Sequence, residues 1–259
     1  MNSVVCIAQV PDTEARIKIA ADGRHIDEAG LKFIVSPYDE FALEEAIRLK
    51  DAKGGDVTVV GFGPDRVQQA LRECLARGAT KALHIKGESG DTDSLGIAKV
   101  LAAAIKTIPH DVVFLGKQGV GTDNSLVGPM VAEILGYPQV NVVTHFEIGE
   151  GKATAHREIE GAEEIIECPL PAVITAQKGL NEPRYASLKG IMAAKKIAID
   201  SKSIADLGLS DGEILNQRVK VVTLELPPEK KAGRKIEGGD AAAAAKEIIK
   251  FIREEAKAL

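Results

Sequence analysis

Short, nearly continuous apolar runs alternate along the first half of the chain with stretches in which apolar residues recur every three or four positions. The runs read as strands buried on both faces, the periodic stretches as amphipathic helices. A strand is predicted over 3–10, ending at Pro11-Asp12, and a hairpin-like excursion over 16–19, the turn Asp22-Gly23, and 31–35. Ser36-Pro37-Tyr38-Asp39 opens a helix: Ser36 as cap, Pro37 at the first helical position, Asp39 three residues on in a capping-box-like pattern. Leu43, Ala46, Ile47 and Lys50 share its stripe, and Lys53-Gly54-Gly55 stops it.

The alternation continues with a strand over 56–61 and a helix from Gly63-Pro64-Asp65 to Gly78 that turns Val67, Leu71, Cys74 and Leu75 inward. Strands over 81–85 and 112–116 and helices over 93–108 and 125–135 follow. Strands alternating with helical segments of this kind require crossover connections and a parallel sheet, so the fold class is α/β. After Gly136 the texture changes: strands over 140–148, 153–159 and 164–168, joined by Gly149-Glu150-Gly151 and Glu160-Gly161, predict an antiparallel insertion before a buried strand over 170–176. From Ile199 regular packing thins, and residues 1–200 are expected as the α/β domain with 201–259 as a C-terminal arm. Pro227-Pro228 and the polar stretch 229–240 read as a linker. The terminal helix over 241–259 has an apolar face of Ile248, Ile249, Ile252 and Ala256, suited to docking on another chain.

At 259 residues the chain is long enough to bury a sizeable core. A net charge of −5 and the absence of Trp argue against a nucleic-acid or anionic-membrane partner. No apolar run reaches the length of a membrane span. Cys6, Cys74 and Cys168 are far apart, an odd set that fits a reducing cytoplasm, and the scattered histidines have no metal-ligand spacing. His84 reads as a satisfied strand histidine, and His156-Arg157-Glu158 as cross-strand charge pairing. No GxSxG elbow and no obvious pair of catalytic carboxylates is present.

Ligands of open parallel sheets sit beyond the carboxyl ends of the strands. Three segments qualify: the end of the first strand (Cys6 to Val10), the cap Ser36-Pro37-Tyr38-Asp39, and Gly116-Lys117-Gln118-Gly119-Val120-Gly121-Thr122-Asp123-Asn124-Ser125. In the last, glycines permit close approach of amides, Thr122 and Ser125 add hydroxyls, and a helix begins at its end, which together suit a phosphate. It matches neither the P-loop nor the GxGxxG pattern, and a plain connector remains the other reading. Gly61-Phe62-Gly63-Pro64 reads first as a tight turn. The residues by themselves describe a nucleotide-binding α/β protein without catalytic machinery.

Arg157-Glu158-Ile159-Glu160-Gly161-Ala162-Glu163-Glu164, leading to Leu170-Pro171-Ala172-Val173-Ile174-Thr175, resembles the signature of electron transfer flavoprotein beta subunits. Leu180-Asn181-Glu182-Pro183-Arg184-Tyr185-Ala186-Ser187-Leu188, with Ile191-Met192 and Lys195-Lys196, resembles that family's recognition loop. Gly116-Lys117-Gln118 and Ser36-Pro37-Tyr38-Asp39, with Glu44-Glu45-Ala46, resemble its nucleotide-site segments. The resemblance implies a Rossmann-like domain of the adenine nucleotide alpha hydrolase type, in a heterodimer whose larger alpha subunit holds most of the redox FAD. It implies an AMP in this chain contacted by Cys6, Ala8, Ser36, Pro37, Tyr38, Asp39, Phe62 and Gly116 through Ser125, with Leu126 and Val127.

The same resemblance implies dehydrogenase docking by Arg184, Tyr185, Ala186, Ser187, Leu188, Lys189, Gly190, Ile191, Met192 and Ala193. Leu188 is the inserted side chain, with Arg184, Lys189, Lys195 and Lys196 as a positive rim. Electrons would pass on to a quinone reductase or another acceptor, and the arm would wrap the alpha subunit. Gly121-Thr122 and Leu126-Val127 depart from the AMP-binding pattern. Val127-Gly128-Pro129 and Val10-Pro11-Asp12-Thr13 are similar to electron-bifurcating members, which bind a second FAD in place of AMP and use NAD. Asn181-Glu182-Pro183-Arg184 and Ala186-Ser187-Leu188 are of the non-bifurcating type, and AMP is the expected ligand. Ala193 stands where some members carry a methylated lysine. A stress-protein-like nucleotide sensor is the reading from another class, against which the 181–193 segment and the docking helix speak.

Overall fold

The computed structural model describes residues 1–88, 92–149, 151–214, 216–229, 233, 235 and 240–258. The expected linker 229–240 lies largely outside these residues, as does Glu150 of the predicted turn.

In chain order the elements begin with strands β1 (Ser3–Cys6), β2 (Gln9–Pro11) and β3 (Phe33–Val35). Helix α1 (Pro37–Lys53), β4 (Val57–Gly63), α2 (Val67–Arg77), β5 (Lys81–Lys86), α3 (Ser94–Ile105), β6 (Val112–Gly116) and α4 (Val127–Leu135) follow. Then come β7 (Gln139–Gly149), β8 (Lys152–Ile159), β9 (Ala162–Pro169), β10 (Ala172–Ala176), α5 (Leu188–Ala194) and β11 (Asp200–Ser203). A 3-10 turn (Ala205–Leu207), a short α6 (Asp211–Ile214), the terminal α7 (Ala241–Lys250) and a π-helical turn (Phe251–Glu255) follow.

The main sheet has nine strands in the order β11-β5-β4-β1-β6-β10-β7-β8-β9. Pairing is parallel from β11 to β7 and antiparallel from β7 to β9. The fold is therefore the expected α/β class. The antiparallel insertion is continuous with the parallel sheet, because β7 pairs with β10 at one end and with β8 at the other. The register shifts between these pairings, where Val142 stands at φ +64°. One core packs α1, α2 and α5 on one face through Leu43, Ile47, Leu71, Cys74 and Ala194. The other packs α3 and α4 through Ala98, Leu101, Ile105, Val131 and Ala132. Burial of such aliphatic side chains on both faces is the main driving force for the fold.

Several boundaries differ from expectation, each for a local reason. The first strand divides: β1 ends at Cys6, and Gln9–Pro11 leaves the main sheet to pair antiparallel with Phe33–Val35. The break falls at Ala8, whose amide donates to Asp39 Oδ2 at 2.7 Å. The predicted excursion is present as this small sheet with an Ile19–Ile26 bridge. Asp39 is thereby taken out of the predicted capping box, and Ser36 caps α1 without a side-chain hydrogen bond. Asp93 does cap α3, accepting from the Gly96 amide at 2.9 Å. Helix α4 starts at Val127 rather than Ser125, because Asp123 and Ser125 sit at φ +47° and +53°.

Beyond residue 200 the chain adds β11 to the sheet edge beside β5 and buries Ile204 and Ile214. The compact units are Met1–Leu224 and Glu225–Leu259. In the second unit α7 is capped by Asp240, which accepts from the Ala242 amide at 3.0 Å. Ile248, Ile249 and Phe251 are exposed there. No described helix is long and apolar enough to cross a membrane.

Candidate functional site

At the carboxyl ends of β1, β4 and β6 the structure gathers Cys6 and Ala8, the start of α1, and the glycine-rich loop that follows β6. One carboxylate holds them together. Asp39 accepts the Ala8 amide at 2.7 Å and the Gly116 amide at 2.8 Å. Both bonds favour the ionised carboxylate, but burial outweighs them and raises the Asp39 carboxyl to about 7. Gly116 is required by this contact: a Cβ there would lie 2.5 Å from Asp39 Oδ1 and 2.6 Å from Tyr38 Cβ. Cys6 is buried, and desolvation, with the Asp39 charge second, pushes its thiol far above the usual range. It is an inert, packed thiol rather than a nucleophile.

The loop itself is anchored at its ends and open between them. The Lys117 amide donates to the Ala176 carbonyl at 2.9 Å, and the Lys117 ammonium lies 5.0 Å from the Tyr38 ring centroid. Gln118 Nε2 donates to Asp123 Oδ1 at 2.7 Å, and Ser125 Oγ donates to Gln118 Oε1 at 3.1 Å. Asn124 Nδ2 donates to Ser94 Oγ at 2.8 Å, tying the loop to the start of α3. The amides of Gln118, Gly119, Val120, Gly121 and Thr122 find no acceptor among the described residues. Gly121 has φ +100° with nothing within 4 Å of an added Cβ. The buried hydroxyl of Ser36 also lacks a hydrogen-bond partner among them. A loop with free amides, an orphaned hydroxyl and a helix behind it offers donors to a phosphate-bearing ligand. Phe62 is buried at the end of β4, packed so closely on Gly87 that a Cβ there would meet its ring at 2.5 Å. Leu126 is exposed, and Val127 packs against the second core.

The second set, residues 184–193, lies across α1 and α2. Arg184, expected as part of a positive rim, is instead engaged within the chain: its guanidinium is bonded to Glu44 and Asp51. Glu44 and Glu45, expected near the nucleotide segments, face this second set, with Asn181 Nδ2 donating to Glu45 Oε2 at 3.0 Å. Ser187 caps α5 by accepting the Gly190 amide at 3.0 Å. Ala186 packs on the core, while Tyr185 and Leu188 are 93% and 85% exposed and Met192 is exposed beside them. Leu188 does not pack into its own domain. The charges of Lys189, Lys195 and Lys196 form no ion pair among the described residues.

The remaining titratable candidates are structural. His84 is buried with Nε2 donating to the Gly63 carbonyl at 2.9 Å. His156 faces Glu163 at 3.5 Å, and Arg157 pairs with Glu164 at 2.8 Å across β8 and β9. Glu44, Glu45 and the Asn141–Thr175 side chains were not legible as structural anchors, since their partners lie far away in sequence.

A doubly wound α/β domain whose ligand-type loop follows the central strand β6, extended by an antiparallel ribbon, is the class that fold and site define. The model of the electron transfer flavoprotein domain matches residues 24–207. The electron transfer flavoprotein subunit beta of Bacillus subtilis is 38% identical over 261 aligned residues, covering all of both chains. The subunit beta of Syntrophomonas wolfei is 42% identical over 92% of this chain and 90% of its own. That of Mus musculus is 36% identical over 92% and 93%. The chain belongs to the electron transfer flavoprotein family, among its beta subunits.

Proposed function

We propose that this chain is the beta subunit of a heterodimeric flavoprotein that accepts electrons from dehydrogenases and passes them to a quinone reductase or comparable acceptor. The FAD is held mainly by the alpha subunit, and the role here is that of a carrier partner rather than an enzyme. The open loop 116–127 binds AMP: the free amides of Gln118 to Thr122 and the orphaned Ser36 hydroxyl are donors for its phosphate and ribose. The AMP fixes the loop and the adjoining start of α3, and takes no part in electron transfer.

The observation that carries the carrier role is the combination of family membership with the exposed Tyr185, Leu188 and Met192 on a segment tied down on both sides. An apolar anchor on a rigid base, with Lys189, Lys195 and Lys196 nearby, is suited to brief docking of a larger enzyme. The apolar side of α7 docks on the alpha subunit. Co-expression with an alpha subunit tests the assignment: a stable 1:1 complex with bound FAD, reducible by a dehydrogenase, is expected. Failure to form that complex would overturn it.

The second FAD of bifurcating relatives remains the alternative occupant, favoured by the Val127-Gly128-Pro129 run, in which Gly128 approaches Thr175 too closely for any Cβ.

A further inference from the structure

The exposed docking segment contains little regular structure before α5, yet its backbone is fixed by side chains on two neighbouring helices. Arg184 Nε donates to Glu44 Oε2 at 2.9 Å and Arg184 Nη2 to Glu44 Oε1 at 2.9 Å, a two-pronged pairing. The Arg184 amide donates to Glu44 Oε2 at 3.1 Å, and Nη1 reaches Asp51 Oδ2 at 3.0 Å. Glu44 and Asp51 are seven positions apart on α1, two turns along one face. Three residues before Arg184, Asn181 Nδ2 donates to the Phe41 carbonyl at 3.0 Å. Beyond it, Gly190 rests so close to α2 that a Cβ would lie 2.2 Å from the Ala76 carbonyl, and Arg72 donates to the carbonyls of Ala194 and Ile197.

Glu44 is the buried member of this set, and it binds both the backbone and the side chain of the residue at which the segment turns toward Tyr185 and Leu188. The geometry points to Glu44 as a positioning residue for dehydrogenase docking: through Arg184 it sets where the Leu188 anchor stands relative to the domain. The inference rests on the docking role proposed for residues 184–193. Glu44 makes no contact with the partner itself. A two-pronged carboxylate–guanidinium pair fixes direction as well as distance, which neither Gln nor Lys reproduces.

The test uses the flavin-loaded heterodimer as substrate for its dehydrogenase. Glu44→Gln and Arg184→Lys should each raise the KM for the flavoprotein on the order of tenfold, since small misplacements of a contact are costly. The kcat should stay within about twofold of the parent protein, because the reacting flavin is not displaced. The double variant should be no worse than either single one, as expected for residues acting as one unit. Reduction by dithionite and FAD content should be unchanged, while amide exchange quickens over 184–194. Leu188→Ala serves as the reference. If it raises KM and the Glu44 and Arg184 variants do not, the positioning role is wrong and the docking surface stands. If Leu188→Ala also leaves KM unchanged, the docking surface itself is wrong. Should Glu44→Gln fold poorly, Arg184→Lys, which keeps the charge, decides the question alone.

Discussion

Asp39 Oδ1 accepts the Gly116 amide at 2.8 Å, joining the first turn of α1 to the end of β6 across 77 positions of sequence. The other oxygen takes the Ala8 amide, so one buried side chain fixes three of the segments that border the candidate nucleotide site.

Burial raises the Asp39 carboxyl to about 7, above its ordinary value of 3.8. A carboxyl raised in the folded state binds its proton more tightly there, so its contribution to stability is present below pH 4 and lost as pH rises toward 7. Asp39→Asn cannot titrate and leaves one of the two amides without an acceptor. It should lower stability by about 1–3 kcal/mol at pH 5. The gap to the parent protein should narrow by roughly 1 kcal/mol or more between pH 5 and pH 7. Urea unfolding of both proteins across that range measures it, and a gap that widens with pH would refute the assignment.

Gly116→Ala places a methyl group 2.5 Å from Asp39 Oδ1 and 2.7 Å from the Tyr38 backbone carbon, where neither neighbour can yield cheaply. The expected result is a loss of about 1–3 kcal/mol from overpacking together with reduced nucleotide occupancy. Gly121→Val differs in kind: space is open, but φ +100° disfavours any side chain, above all a branched one. It should lower occupancy with a smaller effect on melting.

Leu188→Ala removes a side chain that is already in solvent, so thermal stability should barely move. Docking should weaken by about 1.5–3 kcal/mol, the burial energy of one leucine, seen as a raised KM for the flavoprotein. Unchanged docking would remove Leu188 from the interface.

Ending the chain at residue 240 deletes α7, with its exposed Ile248 and Ile249, and the exposed Phe251 that follows it. Association with the alpha subunit should weaken while the far-ultraviolet signal and melting of the first unit persist. Affinity equal to that of the full chain would show that the helix docks elsewhere.

The elements legible in the sequence were those with a strong apolar pattern. The parallel strands β4, β5, β6 and β10 and the helices with Leu43, Ile47, Leu71 and Leu101 on one face fall where their apolar pattern places them. β11 escaped because Asp200-Ser201-Lys202-Ser203, on the sheet edge, carries no apolar residue and joins the sheet through its backbone pairing with β5. The break after Cys6 escaped because its cause, Asp39, lies 31 residues away. The same holds for Arg184: a basic residue in a basic segment reads as rim charge until the fold brings Glu44 and Asp51 to it across 140 and 133 positions. Local composition identifies glycine-rich loops and caps; it does not show which distant carboxylate will claim an amide or a guanidinium.

The nucleotide in the loop at 116–127 is the measurement that tests the account most directly. The heterodimer, purified without added nucleotide, is denatured by heat and the released molecules are separated and quantified. One FAD and one AMP per complex is the predicted result; two FAD with no AMP, or no adenine nucleotide beyond the single FAD, would contradict it.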